Sequence, residues 1–339
     1  MRSRTRSRFS GPCHEARAER AFLAVLVLVG CQPYDPTGSF GSSGGADSED
    51  TSPPPSVLEA ASGLVSDEGF GTSVALDGDQ ILVGAPFAGG RVYAVDLHGD
   101  GTPEMLLQGT PTLGASIAGT RARFVAGAPI AKQVIDETGS VVAEGEEGLG
   151  LAVAVDGDRW VAAHGTGWRS SDGSSEKTSD RPSSLALDGG EVVVGFAHGA
   201  EIAATTGTTP IARAPGVNED GFAVAVLDGS IVRGDPASAS VRVDDLVLTG
   251  GGRFGAALAV ADVTRDGVLD LVVGAPMDQS GAGSVTLYEG PDLEPVTVWQ
   301  GDDAGANLGT SVAAAPGVVV AGAPGGPGSP GSVKIFPVD

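Results

Sequence analysis

The stretch Asp262-Val263-Thr264-Arg265-Asp266-Gly267-Val268-Leu269-Asp270 gathers more cation-binding chemistry than any other part of the chain. Side-chain oxygens recur there at alternate positions, and Gly267 permits the sharp bend that lets such oxygens turn toward one ion. The donors are carboxylates and a hydroxyl, with no His or Cys among them, which favours Ca2+ over transition metals. A lone cation in such a loop stiffens a turn and does no chemistry, so its expected role is structural. His164 and His198 have no nucleophile or carboxylate positioned beside them in sequence, and two such residues make no catalytic site. Arg233-Gly234-Asp235 spells an adhesion tripeptide but falls where a strand should end, so no adhesive role is expected of it.

Internal repeats determine which elements carry the acidic loop. Phe70-Gly71 leads into alternating strand residues, a turn at Asp77-Gly78, a second strand and Gly84-Ala85-Pro86. Strong copies of this unit end at Gly127-Ala128-Pro129, Gly274-Ala275-Pro276 and Gly322-Ala323-Pro324, and eroded ones at Ala163-His164-Gly165, Gly195-Phe196-Ala197 and Gly234-Asp235-Pro236. From leading Gly to triplet is 13 positions at Gly71, Gly114, Gly150, Gly221 and Gly309, and 19 at Gly255. The six extra residues are those of the acidic loop. Triplet-to-triplet periods of 32 to 48 residues suit a four-stranded propeller blade. Asp-Gly supplies the positive φ that a tight hairpin needs, and a second strand pair follows each triplet, as at 91–96 with 104–108, 240–243 with 246–249, and 284–289 with 295–300. The expected fold is all-β: a seven-bladed β-propeller of four-stranded antiparallel blades. Its last unit is one strand short, so residues 56–60 are expected to close the ring.

Phe-Gly followed by Gly-Ala-Pro, repeated seven times, resembles the FG-GAP repeat family, best known from the N-terminal propellers of integrin α subunits. The resemblance covers residues 57–339 and is strongest in copies one, two, six and seven. It implies a seven-bladed propeller, calcium loops in the first hairpin of some blades, ligands on the opposite face, and no catalysis. Matched to the family's D-x-[DN]-x-D-G-x-x-D loops, the Ca2+ ligands would be the side chains of Asp262, Thr264, Asp266 and Asp270 and the backbone carbonyl of Val268. Thr264 stands where the family usually has Asp or Asn; its neutral hydroxyl lowers the charge of the site and implies weaker binding.

Ahead of the repeats, six Arg precede the apolar run 21–29, which is too short to span a bilayer. Leu28-Val29-Gly30-Cys31 resembles a bacterial lipobox, so residues 1–30 read as a lipoprotein signal peptide with Cys31 as the acylated N-terminus. Residues 31–56 are a Gly/Ser/Pro-rich tether. Removing the signal takes away six Arg and two Glu, leaving 14 basic against 41 acidic residues, a formal charge of −27. Such a charge disfavours nucleic acid and anionic membrane surfaces. The expected protein is an exported, monomeric cell-envelope lipoprotein of the outer membrane, touching the membrane through its lipid alone. Its expected role is non-catalytic, binding a protein or glycan ligand not named by the sequence; a propeller-framed hydrolase and a purely structural envelope component are the alternatives.

Overall fold

The computed structural model describes residues 58–178, 180–188, 190–196, 199–204, 207–210 and 219–338. The expected signal segment, the tether, Cys31 and His198 lie outside them. Seven four-stranded antiparallel sheets form. Six take their strands in chain order, from residues 73–108, 116–144, 153–177, 182–210, 223–249 and 257–300. The seventh combines Ser311–Ala315, Val318–Ala323 and Ser332–Pro337 with Leu58–Ser62 as its outer strand. Each innermost strand packs against the innermost strand of the next sheet, and Ser311–Ala315 packs against Ser73–Asp77. This is a β-propeller with antiparallel four-stranded blades. Its one helical segment among the described residues, Asp278–Gly281, contains left-handed Gln279 and Ser280 and is a compact turn.

The sequence dictates the hairpins directly. Asp77 pairs with Gln80 and Asp156 with Arg159, so two residues make each turn, with Gly78 and Gly157 at positive φ. Leu227 pairs with Ser230 around Asp228 and Gly229, both at positive φ, as a type I′ turn demands. The second strand pairs fall at Arg91–Asp96 with Glu104–Gln108, Ser240–Val243 with Leu246–Thr249, and Ser284–Glu289 with Glu294–Gln300. The N-terminal strand lies two residues later than the sequence placed it. Leu58 pairs with Ile335 and Ser62 with Ser332, and the register slips between Glu59 and Ala61.

Blades are joined by one recurrent contact. The six leading Gly residues have φ between +85° and +98° (Gly71, Gly114, Gly150, Gly221, Gly255, Gly309). Its N–H donates to the triplet of its own blade, as Gly71 does to the Gly84 carbonyl at 3.2 Å and Gly114 to Gly127 at 3.1 Å. Its carbonyl lies against the triplet Gly of the preceding blade. A Cβ on Gly84 would stand 2.1 Å from the Gly114 oxygen, one on Gly127 1.9 Å from Gly150, and one on Gly322 1.9 Å from Gly71. Serine hydroxyls of the preceding blade reinforce the contact, Ser73 donating to Gly114, Ser116 to Gly150 and Ser311 to Gly71, each at 2.8 Å. The residue before each leading Gly is buried, at Phe70, Leu113, Leu149, Phe254 and Leu308.

Gly127→Ala should therefore cost about 3 kcal/mol, since backbone must move to admit the methyl. Gly157→Ala, in a turn with open space around it, should cost about 1 kcal/mol for its left-handed φ alone. Denaturant titration of the two variants measures the difference; equal losses would remove the interblade contact from the account of stability.

Candidate functional site

The acidic loop occupies the turn between Ala257–Ala261 and Asp270–Ala275, the first hairpin of the sixth blade. Asp270 is fully buried. Its Oδ1 accepts the Gly290 N–H at 3.0 Å, and its Oδ2 accepts the Thr264 N–H at 2.9 Å and the Thr264 hydroxyl at 3.1 Å. Asp262 Oδ2 accepts from Gly267 N–H at 3.1 Å, and Asp266 Oδ1 from Val268 N–H at 2.8 Å. Arg265 and Gly267 take positive φ. Asp262 Oδ1 is buried with no partner.

Of the five expected ligands, the structure brings Thr264 and Asp270 into contact and folds Asp262 and Asp266 onto their own backbone. Among the described residues, no three acidic, His or Cys side chains converge as a metal site. The donor set nonetheless suits a hard cation, since every side chain in it offers oxygen and one buried carboxylate oxygen is unengaged.

The loop lies at a defined end of the propeller. In each blade the first strand runs from the leading Gly to the first turn and the second returns to the triplet, which separates a hairpin end from a triplet end. Leu58–Ser62 runs antiparallel to Ser332–Pro337, so the chain enters at the hairpin end and reaches the triplet end at Gly63, whose N–H donates to Gly331. The acidic loop and the point of entry thus share one end.

Residues 58–100 and 254–288 each match the FG-GAP repeat model. Both segments are FG-GAP repeats. The second of them contains the whole acidic loop. Two solved structures resemble the chain: the computationally designed protein Ika8, at 15% identity and TM-score 0.54 over 83% of this chain and 99% of that one, and streptogramin B lyase, at 10% identity and TM-score 0.59 over 84% and 98%. At such identities the likeness concerns the fold alone. No curated protein matches the chain.

The triplet end carries features that the FG-GAP pattern did not announce. Phe87, Ile130 and Met277 directly follow the Pro of three triplets and are exposed, Ile130 at 72%. Leu64 and Val65 are exposed on the loop into blade one, which holds Phe87 through the Glu68 carbonyl. That loop is built around Glu68, which is fully buried and accepts from Leu64 N–H at 2.7 Å, Val65 N–H at 3.2 Å, the Tyr93 hydroxyl at 2.8 Å and Arg91 Nη1 at 3.2 Å. Burial first, and then the Glu68 carboxylate, push the Tyr93 phenol well above its ordinary value, so it stays a donor. The sequence signal was present in an apolar residue after the Pro in three copies. His164 is partly buried, and burial holds it below the ordinary histidine value, with Glu146 and Arg169 as its charged neighbours.

Blade five breaks the FG-GAP rule at its core. Asp220 replaces the apolar residue before the leading Gly, Asp235 replaces the Ala of the triplet, and both are buried. Arg233 pairs with Asp220 at 3.1 Å. Asp220 Oδ1, Asp235 Oδ2, Ser240 Oγ and Arg242 Nε are buried without partners. Burial raises the Asp220 carboxyl, opposed by Arg233 and Arg242. Asp220→Leu alone should lose about 3–5 kcal/mol by stranding Arg233. Asp220→Leu with Arg233→Val, the residue types of sibling repeats, should match or exceed the parent. Because the raised pKa means the folded chain binds this proton more tightly, the double variant's advantage should be largest at neutral pH and shrink as pH falls through the raised value. Denaturant titrations at neutral and acid pH check both; a double variant as unstable as the single would refute the assignment.

Proposed function

We propose that this chain is a non-catalytic, calcium-binding β-propeller of seven blades in one closed ring, tethered to the cell envelope by lipid at Cys31, and that its triplet end receives a protein or glycan partner. The observation that carries the interaction role is the set of exposed apolar side chains on triplet-end loops, Phe87, Ile130, Met277 and Leu64. Apolar side chains repeated on the loops of a rigid scaffold are placed where scaffolds carry their contacts. Closure is supported by Gly322 and Ser311, which meet Gly71 as their counterparts meet Gly114 and Gly150, and by the Phe70–Gly331 bridge. The tether is supported by the order of basic residues, apolar run and Cys31 in the sequence. Entry of the chain at the hairpin end would turn the triplet end away from the anchor.

Calcium binding is supported by the oxygen-only donors of 262–270 and the unengaged Asp262 Oδ1. Calorimetric titration with Ca2+ should give saturable heat that Asp262→Ala with Asp266→Ala abolishes. At a Ca2+ concentration of about 100 Kd the parent should gain about 2.7 kcal/mol in stability. Heats unchanged in the double variant would sink the assignment.

For the partner face, a photo-crosslinking residue at Ile130 should capture specific species from cell-surface extracts. The same residue at Gly78, on the hairpin end, should not. Identical capture from both positions would remove the triplet end as the contact face.

A further inference from the structure

At the hairpin end, the first turns of blades two and three and the outer turn of blade two surround a cleft of about 260 Å3. Phe124, Val125 and Val155 contribute its apolar lining. Trp160 forms a wall. The chain has three tryptophans, and Trp168 and Trp299 are buried, whereas Trp160 is left partly open. The corresponding residue four positions after the Asp of blade one's turn is Ile81, which is fully buried. The indole at this seam packs on the core with one part and leaves another part to the cleft.

The polar lining is nearly balanced in charge. Arg123 pairs with Asp158. Arg159 is held by Asp172 at 3.1 Å, by Ser170 Oγ at 3.1 Å and by the Gly190 carbonyl at 2.9 Å. Asp136 uses Oδ1 for Thr138 and Ser140. Its other oxygen is left to a ligand, as is the carboxylate of Glu137, which accepts no hydrogen bond from the described residues. Ser171 adds a hydroxyl.

A partly exposed indole beside apolar walls, edged by acceptors, a hydroxyl and neutralised guanidinium groups, fits a molecule with one face of C–H bonds and a rim of hydroxyls. A pyranose ring has that chemistry. The carboxylates of Asp136 and Glu137 repel anionic sugars, and the paired Arg123 and Arg159 oppose an inserted Lys or Arg. Ligand pockets begin at about 300 Å3, so this volume suits one ring more than a chain of them. We propose that this cleft binds the terminal pyranose of a neutral saccharide, the ring lying on Trp160 and its hydroxyls donating to Glu137 and Asp136. The site stands at the opposite end from the proposed partner face and involves none of its residues, so each proposal stands or falls alone.

The test uses the full chain with the methyl pyranosides of glucose, galactose, mannose, rhamnose and N-acetylglucosamine. At least one should receive saturation from the protein by NMR and shift the tryptophan emission. Trp160→Phe should remove the emission response. Glu137→Gln should raise Kd about tenfold, equivalent to 1.4 kcal/mol, with an unchanged melting temperature. Lysine amide should not displace the sugar. Absence of binding by all five sugars, binding that both variants leave unaltered, or displacement by lysine amide would each overturn the proposal.

Discussion

The propeller depends on one close approach: the carbonyl of a glycine at positive φ pressed against the α-carbon of a glycine in the preceding blade. No side chain fits between Gly127 and Gly150, or between Gly322 and Gly71. The leading glycine also hydrogen-bonds the triplet of its own blade, so the length of the first hairpin is fixed. That is the physical content of the constant spacing of 13 residues in the sequence. Extra residues can be accommodated only at the far turn, and the six added in the sixth copy lie there, in the acidic loop. Ala163 is the exception that fits the rule: the unit after it begins at Pro182 and lacks a Phe-Gly pair.

Where the repeats depart from their pattern, polar groups enter the interior, with two different outcomes. Glu68 arrives with a full set of donors, two backbone N–H groups, a phenol and a guanidinium, and it organises the loop around it. Asp220 and Asp235 arrive with too few, leaving buried oxygens unmatched. Unsatisfied buried polar atoms cost more than their hydrogen bonds would return. The eroded fifth repeat therefore carries a local electrostatic cost.

Much of this was legible in the sequence, because the governing constraints are short-range. Asp-Gly turns, alternating strands and the second strand pairs need only neighbouring residues, and Arg91–Asp96 with Glu104–Gln108 falls where the pattern put it. The N-terminal strand was displaced by two residues because its register is set by partners at the far end of the chain, Ile335 and Ser332. Spacing along 262–270 gave the oxygens but not their partners: Asp270 also accepts from Gly290, twenty residues on. The left-handed residues ahead of the leading glycines, Thr112, Glu219, Arg253 and Asn307, carry no turn signature in common. Tertiary packing imposes that conformation against local preference. Trp160 was silent for a related reason, since only the seam between two blades shows how much of an indole stays open.

The antiparallel strand at Leu58–Ser62 also decides how the molecule bears force. A pull on the N-terminus, resisted at the triplet end, runs along the strand axis, so its hydrogen bonds to Ser332–Pro337 are loaded in shear, together, and not peeled one after another. The slip between Glu59 and Ala61 divides that row into two short segments. The sheet that Leu58–Ser62 completes is thus held on that side by a five-residue strand with no chain connection to its neighbour.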